Sequence, residues 1–101
     1  MKKQGRDRVY IAGKVTGMPY IPTYYKFQKR EKELQDLGYS VFNPMKKCSQ
    51  SWSYFRCMCV CIFNLLFRCD KISLLDDWQD SRGARIEHKI AMFYDYKKID
   101  L

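Results

Sequence analysis

The sequence predicts a small α/β fold: a doubly wound parallel sheet of about four strands with helices on both faces. Three observations carry that expectation. Strand-like and helix-like patterns alternate along the chain, the connections between them are short, and a glycine-bearing loop follows directly on the first strand. The 101 residues fit a single domain spanning 1–101, with a core modest enough to gain from a partner subunit.

Arg8-Val9-Tyr10-Ile11-Ala12 reads as a short buried strand and runs into the loop Gly13-Lys14-Val15-Thr16-Gly17-Met18-Pro19. From about Tyr20 to Leu37, Tyr20, Tyr24, Phe27, Leu34 and Leu37 recur at three- and four-residue steps, which predicts a helix buried along that stripe and stopped at Gly38. Residues 39–43 form a second strand closed by Pro44, and 45–51 read as a polar linker. The mostly apolar stretch from Ser51 to Cys69 predicts a largely buried helix. Residues 71–75 are a third strand and 76–80 a loop. Ser81 to about Tyr94 is a third helix, and 97–99 begins a last strand. In such sheets ligands sit beyond the carboxyl ends of the strands, near the point where strand order reverses. The loops 13–19 and 76–82 are expected there.

Composition excludes several classes. With 5 Gly, 3 Pro and no internal period, collagen, coiled coils and tandem repeats are out. The longest apolar run, Cys57 to Phe67, contains Asn64 and falls short of the roughly 20 residues of a membrane span. No apolar signal core follows the charged start. The net charge of +8 is lopsided: residues 1–50 carry 11 basic and 4 acidic side chains, and residues 51–101 carry 8 and 7. A basic half suits an anionic partner such as a nucleotide or phosphate, or simply a solvated surface. Nucleic acid is not expected, because no recognised motif accompanies the charge. Five cysteines, an odd count, are expected to be free thiols in a reducing compartment, which points to the cytoplasm. Cys57, Cys59 and Cys61 suggest a metal cluster, yet i and i+2 on a helix point to nearly opposite sides. Buried structural cysteines are expected instead, with no metal and no cofactor.

Four places offer chemistry. The Gly13–Gly17 loop is either a tight turn or a backbone cradle for phosphate or sugar. Ser81 is either a helix N-cap or, with the first free N–H groups, a phosphate contact. Tyr10 and Trp78 are either packing or the flanks of a planar base. Glu87 falls at the edge of an apolar arc of Gly83, Ile86, Ile90, Phe93 and Tyr94 on the third helix. A carboxylate there needs a partner, such as Arg82, a lysine or a tyrosine, or a function, and the helix N-terminus favours its ionised form.

Residues 9–17, 38–44 and 69–88 together resemble the DUF4406 family, within the nucleoside 2-deoxyribosyltransferase-like superfamily. The Trp78–Ser81–Gly83-Ala84–Glu87-His88 run is the most specific part. The resemblance implies a flavodoxin-like sheet and an N-glycosidic-bond hydrolase or transferase acting on a deoxynucleotide or nucleoside. It is similar, too, to the 2'-deoxynucleoside 5'-phosphate N-hydrolases. By resemblance Glu87 is the nucleophile and Tyr10 an active-site tyrosine. Ser81, six residues before Glu87, matches the phosphate-binding serine of the hydrolases. Gly13, Lys14, Thr16 and Gly17 would hold the 5' side of the nucleotide, with Lys14 or Arg82 supplying charge. Trp78 and Gly83 complete the binding set, and sites of this kind are completed across a homodimer or larger assembly.

One departure stands out. The superfamily usually carries an Asp eight residues before the position of Asp70, and here that position is Ile62. Either Asp76 or Asp77 substitutes, or the chain is a catalytically degenerate nucleotide-binding or regulatory module.

Overall fold

The computed structural model describes residues 8–15, 17–49 and 51–99. The elements are β1 (Arg8–Ala12), α1 (Tyr20–Asp36), β2 (Ser40–Phe42), α2 (Pro44–Lys47), α3 (Tyr54–Arg68), β3 (Lys71–Leu74), a 3-10 turn (Trp78–Asp80), α4 (Arg82–Phe93) and β4 (Lys97–Lys98). The strands form one sheet in the order β2-β1-β3-β4, and every pair is parallel. This is the expected flavodoxin-like arrangement, and its strand order reverses between β1 and β3. Tyr10 pairs with Ile72 there, and Ala12 with Leu74.

The two-residue period of β1 divides the core. Tyr10 and Ala12 face one side, where they join Cys61 and Leu65 of α3 and Ala84 and Ala91 of α4. Val9 and Ile11 face the other, against Phe27 and Leu34 of α1. Each face is thus covered by helix.

The helical stripes differ from those expected. In α1 the buried residues are Thr23, Phe27, Glu31 and Leu34, while Leu37 is 59% exposed. Glu31 takes a buried place because Asn43 Nδ2 and Lys46 Nζ reach its Oε1, at 3.2 and 2.9 Å. Residues 45–51 are not simply a linker. Asn43 accepts a hydrogen bond from the Met45 N–H at 2.9 Å and Pro44 presets the first helical φ, so α2 forms. The apolar helix α3 is not largely buried: only Cys61 and Leu65 are, and Phe55, Phe63 and Phe67 face outward. One helix on one sheet face buries a single stripe, whatever its overall composition.

In α4 the inward stripe is Gly83, Ala84, Glu87 and Ala91, while Phe93 is 80% exposed. The reason is the closeness of α3. A Cβ on Gly83 would meet Met58 Sδ at 3.0 Å, so the small side of α4 turns inward and the bulky side turns out. Glu87 therefore lies within the buried stripe rather than at its edge. Among the described residues, no helix is long and apolar enough to cross a membrane.

Candidate active site

Glu87 reaches across the sheet to β1. Its Oε2 accepts a hydrogen bond from the Tyr10 hydroxyl, 77 residues away in sequence, and both side chains are buried. The Tyr10 ring stacks on Phe42 with centroids 5.3 Å apart, which holds the hydroxyl in place. Burial pushes the Glu87 pKa up to about 8, and the Tyr10 hydrogen bond offsets part of that rise. The helix N-terminus does not keep this carboxyl acidic, as the sequence suggested; desolvation outweighs it. Burial, and then the neighbouring Glu87, also raise the Tyr10 pKa well above its ordinary value, so the phenol stays a donor.

The pair opens onto a cavity of about 400 Å³, lined among others by Gly13, Ser81 and Gly83. That volume suits a nucleoside-sized ligand. Glu87 is the one carboxylate among the described lining residues, and no lysine or arginine lines the cavity there. Ser81 caps α4 by accepting from the Ala84 N–H at 3.2 Å, so the N-terminal turn of α4 meets the cavity. Gly13 leaves β1 so close to the β3 exit that a Cβ would lie 2.6 Å from Leu75 Cδ1.

Other candidates lie elsewhere. Lys14 is off the cavity, and its N–H donates to Asp77 Oδ1 at 3.0 Å. Gly17 is exposed at a turn with φ +81°, and Arg82 is exposed; neither lines the cavity. Thr16 lies outside the described residues. Trp78 does not flank the cavity with Tyr10; it packs on His88, ring centroids 4.4 Å apart. Asp76 and Asp77 do not stand in for the acid absent at Ile62. Both line a separate groove beside α1, where Asp77 pairs with Lys26. Ile62 is half-buried and off the cavity wall.

Sequence reasoning missed part of the wall. Trp52, Tyr54 and Met58 line the cavity from α3 and the turn before it. The Arg56 guanidinium sits 4.2 Å from the Trp52 ring centroid. Ser53 caps α3 by accepting from the Arg56 N–H at 3.1 Å. The cysteines also need correcting. Cys48 and Cys57 are joined in a disulfide rather than free, and Cys59 is exposed rather than buried. Cys61 and Cys69 are buried, as expected, and lie outside the disulfide.

No curated protein and no solved structure matches the chain. A family model does, over residues 7–98, nearly the whole length and all of the elements that build the cavity. The chain therefore belongs to that family, the domain of unknown function DUF4406.

Proposed function

We propose that this protein cleaves the N-glycosidic bond of a nucleotide or nucleoside, as a hydrolase or a transferase, with Glu87 as the nucleophile. The observation that carries the reading is the Tyr10–Glu87 pair: a buried carboxylate with a tyrosine partner and, among the described residues, no lysine or arginine on the cavity wall, opening onto a nucleoside-sized cavity.

The chemistry follows from those groups. The ionised Glu87 carboxylate attacks the anomeric carbon as the carbon–nitrogen bond breaks; the bonding pair leaves with the base, whose nitrogen takes its proton from solvent water. The positive charge that develops on the sugar is stabilised by the adjacent carboxylate. Water then opens the sugar–glutamate ester in hydrolysis, or a second base does so in transfer. Tyr10 holds the carboxylate oxygen in line. Ser81 and the N-terminal turn of α4 receive the 5' end of the ligand, a phosphate where there is one. Trp52 supplies an aromatic face for the base.

A homodimer or larger assembly is proposed as the working form. The outward Phe55, Phe63 and Phe67 of α3 support it, as an apolar face that a small monomer leaves uncovered. The cytoplasm is proposed as its compartment: Cys59, Cys61 and Cys69 outside the disulfide support it, and the Cys48–Cys57 disulfide weighs against it.

A non-catalytic nucleotide-binding module is the second reading, favoured by Ile62 in place of the superfamily's usual acid. Incubating the protein with a panel of nucleosides and nucleotides and resolving free base by chromatography separates the two. Release of base that is abolished in Glu87→Gln supports the enzyme. Binding without release across the panel moves the protein to the second reading, and turnover indifferent to Glu87→Gln ends the proposed mechanism.

A further inference from the structure

Three of the five cysteines, drawn from two separate elements, converge on the cavity wall. Cys48 closes α2, and Cys57 and Cys61 stand one helical turn apart on the same side of α3. Their sulfurs all lie within 4.8 Å of one another. Cys61 Sγ is 3.7 Å from Cys48 Sγ and 3.9 Å from Cys57 Sγ. Cys59, between them in sequence, is exposed, and Cys69 lies in the core below.

We propose that, once the Cys48–Cys57 disulfide is reduced, Cys48, Cys57 and Cys61 form a three-thiolate site for a single zinc ion. The spacing is the first argument. Zinc–sulfur bonds of about 2.3 Å at a tetrahedral angle set sulfurs roughly 3.8 Å apart. The two distances to Cys61 already match that figure. The donor set is the second. Three thiolates from two elements suit a soft ion, and their place on the cavity wall leaves a fourth position open to water or a ligand.

The steps balance. A dithiol reductant passes two electrons and two protons to the Cys48–Cys57 bond, which becomes two thiols while the reductant becomes a disulfide. Zinc then displaces one proton from each of the three thiols. In the oxidised state two of the three donors are consumed, so occupancy follows the redox state. The site adjoins but does not include the Tyr10–Glu87 pair, and it stands whether or not that pair is catalytic.

The test uses the full chain, reduced with a phosphine, freed of reductant and titrated with Co2+ as a spectroscopic stand-in for zinc. One equivalent should give thiolate-to-cobalt charge-transfer absorption, bleached by Zn2+. Cys61→Ala and Cys48→Ala should lose the band while retaining the wild-type far-ultraviolet circular dichroism. Cys59→Ala should keep it, and oxidised wild type should show none. No band in reduced, folded wild type would overturn the proposal, as would a band that survives Cys61→Ala or is lost in Cys59→Ala. Should either Ala variant fail to fold, blocking of the band by prior alkylation of Cys48 and Cys57 gives the same answer. Binding of Cu+ without Co2+ or Zn2+ would overturn the zinc assignment.

Discussion

Glu87 and Asp77 are two carboxylates near the same carboxyl edge of one sheet, and they behave in opposite ways. Asp77 stands beside α1, where burial alone would raise its pKa. Hydrogen bonds from Lys26 and from the Lys14 N–H outweigh that and hold it below its ordinary value. Glu87 stands between β1 and α4, where burial is fuller and the partner is a phenol, and its pKa rises to about 8. The positive charge beside Asp77 makes it a fastener between two loops. The lack of one beside Glu87 leaves a group whose charge is costly at rest and useful only when a cation forms nearby. A basic protein can therefore hold a carboxylate without a charged partner, because among the described residues no lysine or arginine lines its cavity.

The largest effect should appear in catalysis at Glu87. With substrate found by the panel assay, Glu87→Gln should lower base release by several orders of magnitude while binding changes little. In wild type, kcat/KM should climb as pH rises through about 8, the point at which Glu87 gives up its proton. A profile flat between about pH 6 and pH 9 would break the contrast between the two carboxylates.

Stability should show the same contrast with the opposite sign at each site. Because the Glu87 pKa is raised, the folded state holds the proton more tightly than the unfolded chain does. Its contribution is full below about 4.5 and is lost as pH rises to about 8. Glu87→Gln removes that loss. Its stability relative to wild type, from urea unfolding, should improve between acid and alkaline pH by on the order of 5 kcal/mol. A pH-independent gap would mean that Glu87 is not desolvated.

A smaller effect is expected where the two loops meet. Gly13→Ala forces a methyl group against Leu75, and about 1–3 kcal/mol of stability should go. Thermal melts check this, and a neutral result would show that the loops are free to part.

The smallest change belongs to Asp77. Its pair with Lys26 is partly exposed and open to screening, so a double-mutant cycle of Asp77→Asn with Lys26→Met should read at most about 1 kcal/mol, falling with salt. That contribution is present above the unfolded carboxylate pKa and is lost as pH falls through the lower folded value. A larger coupling that resists salt would make the Asp77 side as consequential as the Glu87 side.

Legibility in the sequence tracked range. β1 is where the pattern of Arg8–Ala12 predicts it, and Ser81 caps α4 as its position implies. The predicted arc of α4 is right at Gly83 and Ile90 and wrong at Ile86 and Phe93, which hydrophobicity turns inward and the close approach of Met58 to Gly83 leaves exposed. The sequence offers Trp78 as the flank of a planar base, and the resemblance puts Lys14 at the 5' side of the ligand; packing on His88 and a bond to Asp77 place both off the cavity wall. Trp52 was passed over because nothing local distinguishes a wall residue from a linker residue.

By itself the sequence determined the alternation of strands and helices, the buried strand β1, the cap at Ser81 and the helix stop at Gly38. These rest on neighbours within a few residues, where backbone geometry and side-chain period act directly. Only the tertiary structure decided that Tyr10 meets Glu87, that Asp77 is neutralised while Glu87 is not, and that Cys48 joins Cys57 and Cys61 in place of Cys59. Burial and charge at a point are sums over every element that packs there, and no single stretch of chain contains that sum.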